Sequence, residues 1–175
     1  MTTLWLTGLP AAGKTTLARA VAEALRSQGR AVLVLDGDEV RDTLSAGLGF
    51  DAAARDENVR RVAAVALLAA RSQLVTVVAL VSPLRAAREA ARAAHVASGV
   101  PFFEIFLSAP AEVCAQRDPK GLWARARAGQ AKQVTGHDAP YEAPLKPELV
   151  IAPEFSVTEA VRQVLTSAGM TQPRA

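Results

Sequence analysis

An α/β fold, a parallel sheet with helices on both faces, is what this 175-residue sequence predicts, and three observations predict it. Short apolar runs of strand length alternate along the chain with segments whose apolar residues recur at helical spacing. Five such runs can be counted, and repeated strand–helix units imply parallel strands covered on both sides. The first run passes directly into Gly8-Leu9-Pro10-Ala11-Ala12-Gly13-Lys14-Thr15, a complete G-x-x-x-x-G-K-[ST] phosphate loop followed by a helix, the order found in the P-loop NTPase fold.

The elements follow in order. Residues 4–7 read as a buried strand, and 16–25 as a helix with Leu17, Val21, Ala24 and Leu25 on one face. Residues 31–35 form a second buried strand ending at Asp36, and a short helix starts near Asp38. After the turn Gly47-Leu48-Gly49-Phe50, a long helix is expected over 52–72, with Asp51 as its N-cap and Val59, Val62, Ala66 and Ala69 facing inward. A third strand is expected over 74–81, a helix over 84–98, a fourth strand over 102–107 and a helix over 111–116. Residues 120–136, rich in Lys, Arg and Gly, have the composition of a mobile flap over a charged ligand. A proline-punctuated loop, 140–147, leads to a short last strand, 148–151, and Ser156-Val157-Thr158-Glu159 is a capping box opening the final helix. The length fits one domain, 1–175, with no internal repeat.

The phosphate loop carries the first functional reading. Gly8 and Gly13 let backbone N–H groups turn around phosphate oxygens, and the helix N-terminus adds partial positive charge. The eight loop residues, with Thr16 behind them, are the expected contacts of a nucleoside triphosphate such as ATP. Lys14 would reach the β- and γ-phosphates, and the Thr15 hydroxyl would join a Mg²⁺ shell.

Composition excludes several other classes. The longest apolar run is interrupted by Thr76 and has strand length, so no membrane span is expected. The first strand starts almost at Met1, which leaves no room for a signal or transit peptide, and Cys114 is the single cysteine; a cytoplasmic protein is expected. The net charge of +3 and pI near 9.5 suit anionic substrates. Acidic residues are interspersed and no basic-aromatic stripe exists, so nucleic acid is not the expected partner. His95 and His137 lie far apart, without metal-ligand spacing.

No Asn-Lys-x-Asp guanine signature is present, and no strand ends in Asp-Glu as in ATPases that activate water. Instead the second strand ends Asp36-Gly37-Asp38-Glu39-Val40-Arg41, putting a carboxylate where open α/β sheets bind ligands. Asp36 is the candidate for orienting or deprotonating an acceptor hydroxyl, with an outer-shell metal role as the other reading. Asp38 is either a second site carboxylate or the N-cap of the short helix. Arg55 and Asn58, at i and i+3, share a helix face.

From Leu6 to about Pro147 the chain resembles the adenylyl-sulfate kinases. The likeness rests on Leu35-Asp36-Gly37-Asp38-x-Val40-Arg41, Leu48-Gly49-Phe50, Arg55-Asp56-Glu57-Asn58-Val59-Arg60-Arg61 and Val81-Ser82-Pro83-x-Arg85. It continues in Gln116-Arg117-Asp118-Pro119-Lys120-Gly121-Leu122, Thr135-Gly136 and Pro140-Tyr141-Glu142-Ala143-Pro144. The resemblance implies transfer of the ATP γ-phosphoryl group, with Mg²⁺, to the 3′-hydroxyl of adenylyl sulfate in sulfate assimilation. It implies that Arg41, Phe50, Arg55, Asn58, Val81 and Lys132 contact the acceptor, that Arg117 lies beside the ATP adenine, and that Ser82 is the position assigned as a phosphoserine intermediate.

The residues themselves leave other readings. Ser82 before Pro83 at a strand–helix junction reads as an ordinary N-cap, and direct in-line transfer needs no phosphoenzyme. Phe50 could be a hydrophobic staple against the long helix. Arg60 and Arg61 read as surface partners of Glu57, and Cys114 as a small core residue. The chain departs from the family at Leu80, Leu84 and Val134, where aromatic residues are usual, so Phe50 alone is expected to grip the adenine of the acceptor. A homodimer is left open. A related kinase for another anionic nucleoside or sugar-type hydroxyl is the second reading; a nucleotide-dependent regulatory or nucleic-acid-binding module is the third.

Overall fold

Five parallel strands stand in the order β2-β3-β1-β4-β5, so the first strand of the chain is the middle of the sheet. The computed structural model describes residues 1–171. Its elements are β1 (Thr3–Thr7), α1 (Lys14–Ser27), β2 (Val32–Asp36), α2 (Gly37–Asp42), α3 (Ala52–Arg71), β3 (Val75–Ala79) and α4 (Arg85–Ala97). There follow β4 (Phe102–Leu107), α5 (Ala111–Arg117), α6 (Leu122–Arg127), β5 (Leu149–Ile151) and α7 (Val157–Ser167).

Strand alternation divides the core in two. Leu4 and Leu6 of β1, Val75, Val77 and Ala79 of β3, and Ile105 and Leu107 of β4 face α1 and α7. Trp5, Val78, Leu80 and Phe102 face the other way, onto Val59, Val62, Ala63 and Ala66 of α3 and Ala91 of α4. The expected five-stranded parallel sheet with helices on both faces is therefore what forms, and among the described residues no helix is long and apolar enough to cross a membrane.

Several local expectations are corrected. β2 is half-buried, not buried, because it is an edge strand. On α3 the inward face runs through Ala70, leaving Ala69 half-buried. The ladder of β3 ends at Ala79, and residues 80–83 continue as an irregular wall outside it. Helix α4 opens at Arg85 with Leu84 in the cap position, so Ser82 does not cap it. Asp51 and Ser156 cap as expected, accepting from the amides of Ala54 and Glu159. The segment read as a flap contains helix α6, whose Trp123 and Ala126 are buried.

Candidate active site

The loop between β1 and α1 is shaped by backbone that favours glycine. Gly8 has φ 152° and Gly13 φ 100°, and a Cβ on Gly8 would stand 2.7 Å from the Leu107 carbonyl. Gly13 caps α1 without a side-chain hydrogen bond, leaving the first-turn amides free of a capping side chain. Lys14 is buried, and its ammonium donates to the carbonyls of Gly8 at 2.9 Å and Leu9 at 2.7 Å. Burial pushes its pKa down from 10.5 to about 8. The Leu9 side chain turns away from the loop's inner surface and packs beneath Gly136, so only its backbone faces the role expected of it.

Asp36 joins the loop to the neighbouring strand. Thr15 Oγ1 donates to Asp36 Oδ2 at 2.6 Å, and Asp36 Oδ1 accepts from the Asp38 amide at 3.1 Å. Asp36 is thus the N-cap of α2, and Asp38, read as a candidate for that cap, instead pairs with Lys120 at the start of the flap. The Thr15 hydroxyl and the Asp36 carboxylate are adjacent hard oxygen donors, which suits Mg²⁺. Among the described residues no three acidic, histidine or cysteine side chains gather as a metal site.

The residues expected to contact the acceptor come together. Arg41 Nη1 donates to the carbonyls of Leu48 and Gly49, and its Cζ stands 4.7 Å from the Phe50 ring centroid. Arg55 Nε donates to the Phe50 carbonyl at 2.8 Å, and its Nη2 reaches across to the Gln133 carbonyl of the flap at 2.5 Å. Burial and then the nearby Arg41 lower the Arg55 pKa, as expected where two cations face a common space. Phe50 is 58% exposed, so it is not buried as a staple, and its ring stands at the cleft between Arg41 and Arg55. Asn58 is 6% exposed, and its buried Oδ1 has no hydrogen-bond partner among the described residues. Arg60 and Arg61 both bind Glu57 at 2.7 Å, the surface pairing expected of them.

Ser82 is buried at φ 38°, a left-handed backbone rare for serine. Its Oγ accepts from Trp5 Nε1 at 3.1 Å and donates to Thr7 Oγ1 at 3.1 Å, while Thr7 donates to the Val81 carbonyl and meets the Tyr141 hydroxyl. Arg117, at the other end of the site, donates to the Pro153 carbonyl at 2.9 Å and lies near the Ala12 carbonyl.

One cleft of 1480 Å³ takes in the inner loop residues from Pro10 to Thr16, Asp36, Asp38, Arg41, Phe50, Arg55, Asn58, Val81, Ser82, Arg117 and the exposed Lys132. The family model for adenylylsulphate kinase matches residues 1–152. The chain belongs to the adenylylsulphate kinase family. An adenylyl-sulfate kinase of Aeromonas salmonicida is 49% identical over 146 residues, 83% of this chain and 74% of that one. One from Synechococcus sp. (strain JA-2-3B'a(2-13)) is 47% identical over 166 residues, 94% and 93% of the two chains. The solved structure of the Mycobacterium tuberculosis APS kinase in complex with AMPPNP and APS superposes with a TM-score of 0.94 at 42% identity, covering 96% of this chain and 97% of that one.

This adenylylsulphate kinase cleft also has supports that sequence reasoning passed over. Trp123 Nε1 donates to the Pro10 carbonyl at 3.1 Å, tying α6 to the phosphate loop. Asp138 accepts from the amides of Gln133 and Val134, fixing the far end of the flap. Behind the Ser82 wall, the buried Arg88 pairs with Glu104 at 2.6 Å. Glu104 was a visible signal: a carboxylate inside an apolar strand run needs a buried cation.

Proposed function

We infer that the cleft transfers the γ-phosphoryl group of ATP to the 3′-hydroxyl of adenylyl sulfate, giving 3′-phosphoadenylyl sulfate and ADP. One observation carries this reading: Asp36 is bonded to Thr15 of the phosphate loop and caps α2, the helix that carries Arg41, so a carboxylate joins a triphosphate site to an arginine-lined pocket. The loop amides and Lys14 hold the β- and γ-phosphates, and Lys14 exchanges its two carbonyl partners for phosphate oxygens. Arg117 borders the ATP adenine. Arg41, Arg55 and Asn58 hold the sulfate–phosphate anhydride and its nucleoside, since guanidinium forks match tetrahedral oxyanions. Phe50 offers its ring to the acceptor adenine, and Val81 and Lys132 border the same end.

Asp36 orients the 3′-hydroxyl and takes its proton as the oxygen–phosphorus bond forms; the bond from the γ-phosphorus to its bridging oxygen breaks, and ADP leaves with the electron pair. The Thr15 hydroxyl would help to hold the magnesium that accompanies ATP, and that ion would neutralise charge at the phosphoryl oxygens. Ser82 takes no phosphate in this scheme, because direct in-line transfer needs no phosphoenzyme and its buried hydroxyl is occupied by Trp5, Thr7 and the Leu80 carbonyl. A neutral sugar acceptor fits less well, since it would leave Arg41 and Arg55 without an anion. We place the reaction in the cytoplasm, where ATP is supplied.

The test is Mg²⁺-dependent ADP release measured across an acceptor panel of adenylyl sulfate, AMP, adenosine and gluconate. Turnover with adenylyl sulfate well above the others is expected. Equal or greater turnover with gluconate or adenosine would defeat the reading.

A further inference from the structure

Arg88 is 1% exposed, a guanidinium enclosed within the protein. A buried ion pair returns little more than its desolvation costs, so the pair with Glu104 is poorly explained as a source of stability. What the guanidinium provides is geometry. Its Nε donates to Glu104 Oε1, its Nη1 to the Ser82 carbonyl and its Nη2 to the Glu142 carbonyl, each at 2.6 Å. One rigid fork therefore binds β4, the wall after β3 and the loop before β5.

The wall it grips is the strained one. Ser82 sits at φ 38°, and the carbonyls on both sides of that turn are held from behind, Val81 by Thr7 and Ser82 by Arg88. The loop is tied to the same place a second time, through the Glu142 amide to the Pro83 carbonyl at 2.9 Å and the Arg85 amide to Glu142 at 2.7 Å. Val81, Ser82 and Pro83 line the cleft, while Arg88 lies behind them and does not.

We propose that Arg88 is a positioning residue for the acceptor, holding the Val81–Pro83 wall, bent at the left-handed Ser82, in the shape that receives adenylyl sulfate. The proposal rests on the acceptor site assigned above. Glu104 fixes the guanidinium plane, and Arg92, 3.4 Å from the other Glu104 oxygen and bonded to Glu148, steadies the carboxylate in turn.

Arg88→Lys tests it. An ammonium can keep the charge opposite Glu104 but cannot span both carbonyls as a planar fork does. The KM for adenylyl sulfate should rise roughly tenfold, the worth of a charge-assisted contact acting through geometry, while the KM for ATP stays within about twofold. A merely structural role would lower the thermal midpoint and move neither KM selectively. Glu104→Gln, which keeps the shape and loosens the fork, should show the same selectivity with a smaller rise, and it decides the matter if Arg88→Lys does not fold. Unchanged KM values in a folded variant, or equal rises in both, would overturn the proposal. Wild-type protein that fails to phosphorylate adenylyl sulfate would instead strike the acceptor assignment, before any variant is compared.

Discussion

At the scale of single residues, Ser82 shows how hydrogen-bond accounting decides between roles. A serine hydroxyl has one proton and two lone pairs; here one lone pair accepts from Trp5, and the proton has Thr7 at 3.1 Å and the Leu80 carbonyl at 3.5 Å as acceptors. A helix cap would instead accept from a first-turn amide; α4 begins three residues later, with Leu84 in the cap position and the Glu142 carboxylate accepting from the Arg85 amide. Ser82→Ala should leave the Trp5 indole N–H buried and unpaired, which costs about 1–3 kcal/mol. We expect a lowered denaturation midpoint, substantial remaining turnover, and no label on denatured wild-type protein after incubation with γ-labelled ATP. Label recovered on Ser82 would restore the phosphoenzyme. Asn58 and Arg55 illustrate the opposite case, in which spacing alone was informative. Residues three apart on a helix share a face whatever that helix packs against, and both line the cleft.

At the scale of elements, what could be read from the sequence follows the distance over which each signal acts. The phosphate loop, the Asp51 and Ser156 caps and the existence of the five strands are encoded within a few residues and stand where expected, while the third strand stops two residues short of its apolar run. The edge position of β2, the burial of Arg88 and the helix inside the flap depend on partners far along the chain, which no local pattern names. Helix α6 is the clearest example. Its composition is basic and glycine-flanked, yet Trp123 seats it on the Pro10 carbonyl, more than a hundred residues away in sequence. Gly136, at φ 89°, completes the contact, because a Cβ there would stand 2.7 Å from Leu9 and 3.0 Å from Trp123. Trp123→Phe keeps the ring and removes the donor, a hydrogen bond worth roughly 0.5–1.5 kcal/mol. If α6 steadies the phosphate loop, the KM for ATP should rise about two- to tenfold with little change for adenylyl sulfate. An unchanged KM for ATP would separate the helix from nucleotide binding.

At the scale of the whole molecule, the buried Lys14 couples stability to pH. Below about pH 8 the lysine is charged in both folded and unfolded chains, and burial penalises the folded one. Between about 8 and 10.5 the folded protein has shed the proton and the unfolded chain keeps it, so stability rises with pH across that window. Relative to Lys14→Met, the ligand-free wild type should gain up to about 3 kcal/mol from the lower to the upper limit, read by denaturant unfolding. A difference that stays flat with pH would mean that the ammonium remains hydrated. The central place of β1 has a consequence for biosynthesis. Thr3 lies opposite Thr76 on one side and Phe102 on the other, and nothing nearer in sequence pairs with that strand. The phosphate loop is therefore synthesised before either strand that flanks it in the sheet. The loop gains its framework only when residues 75–79 and 102–107 have been synthesised, so the mounting of the phosphate loop waits on the middle of the chain.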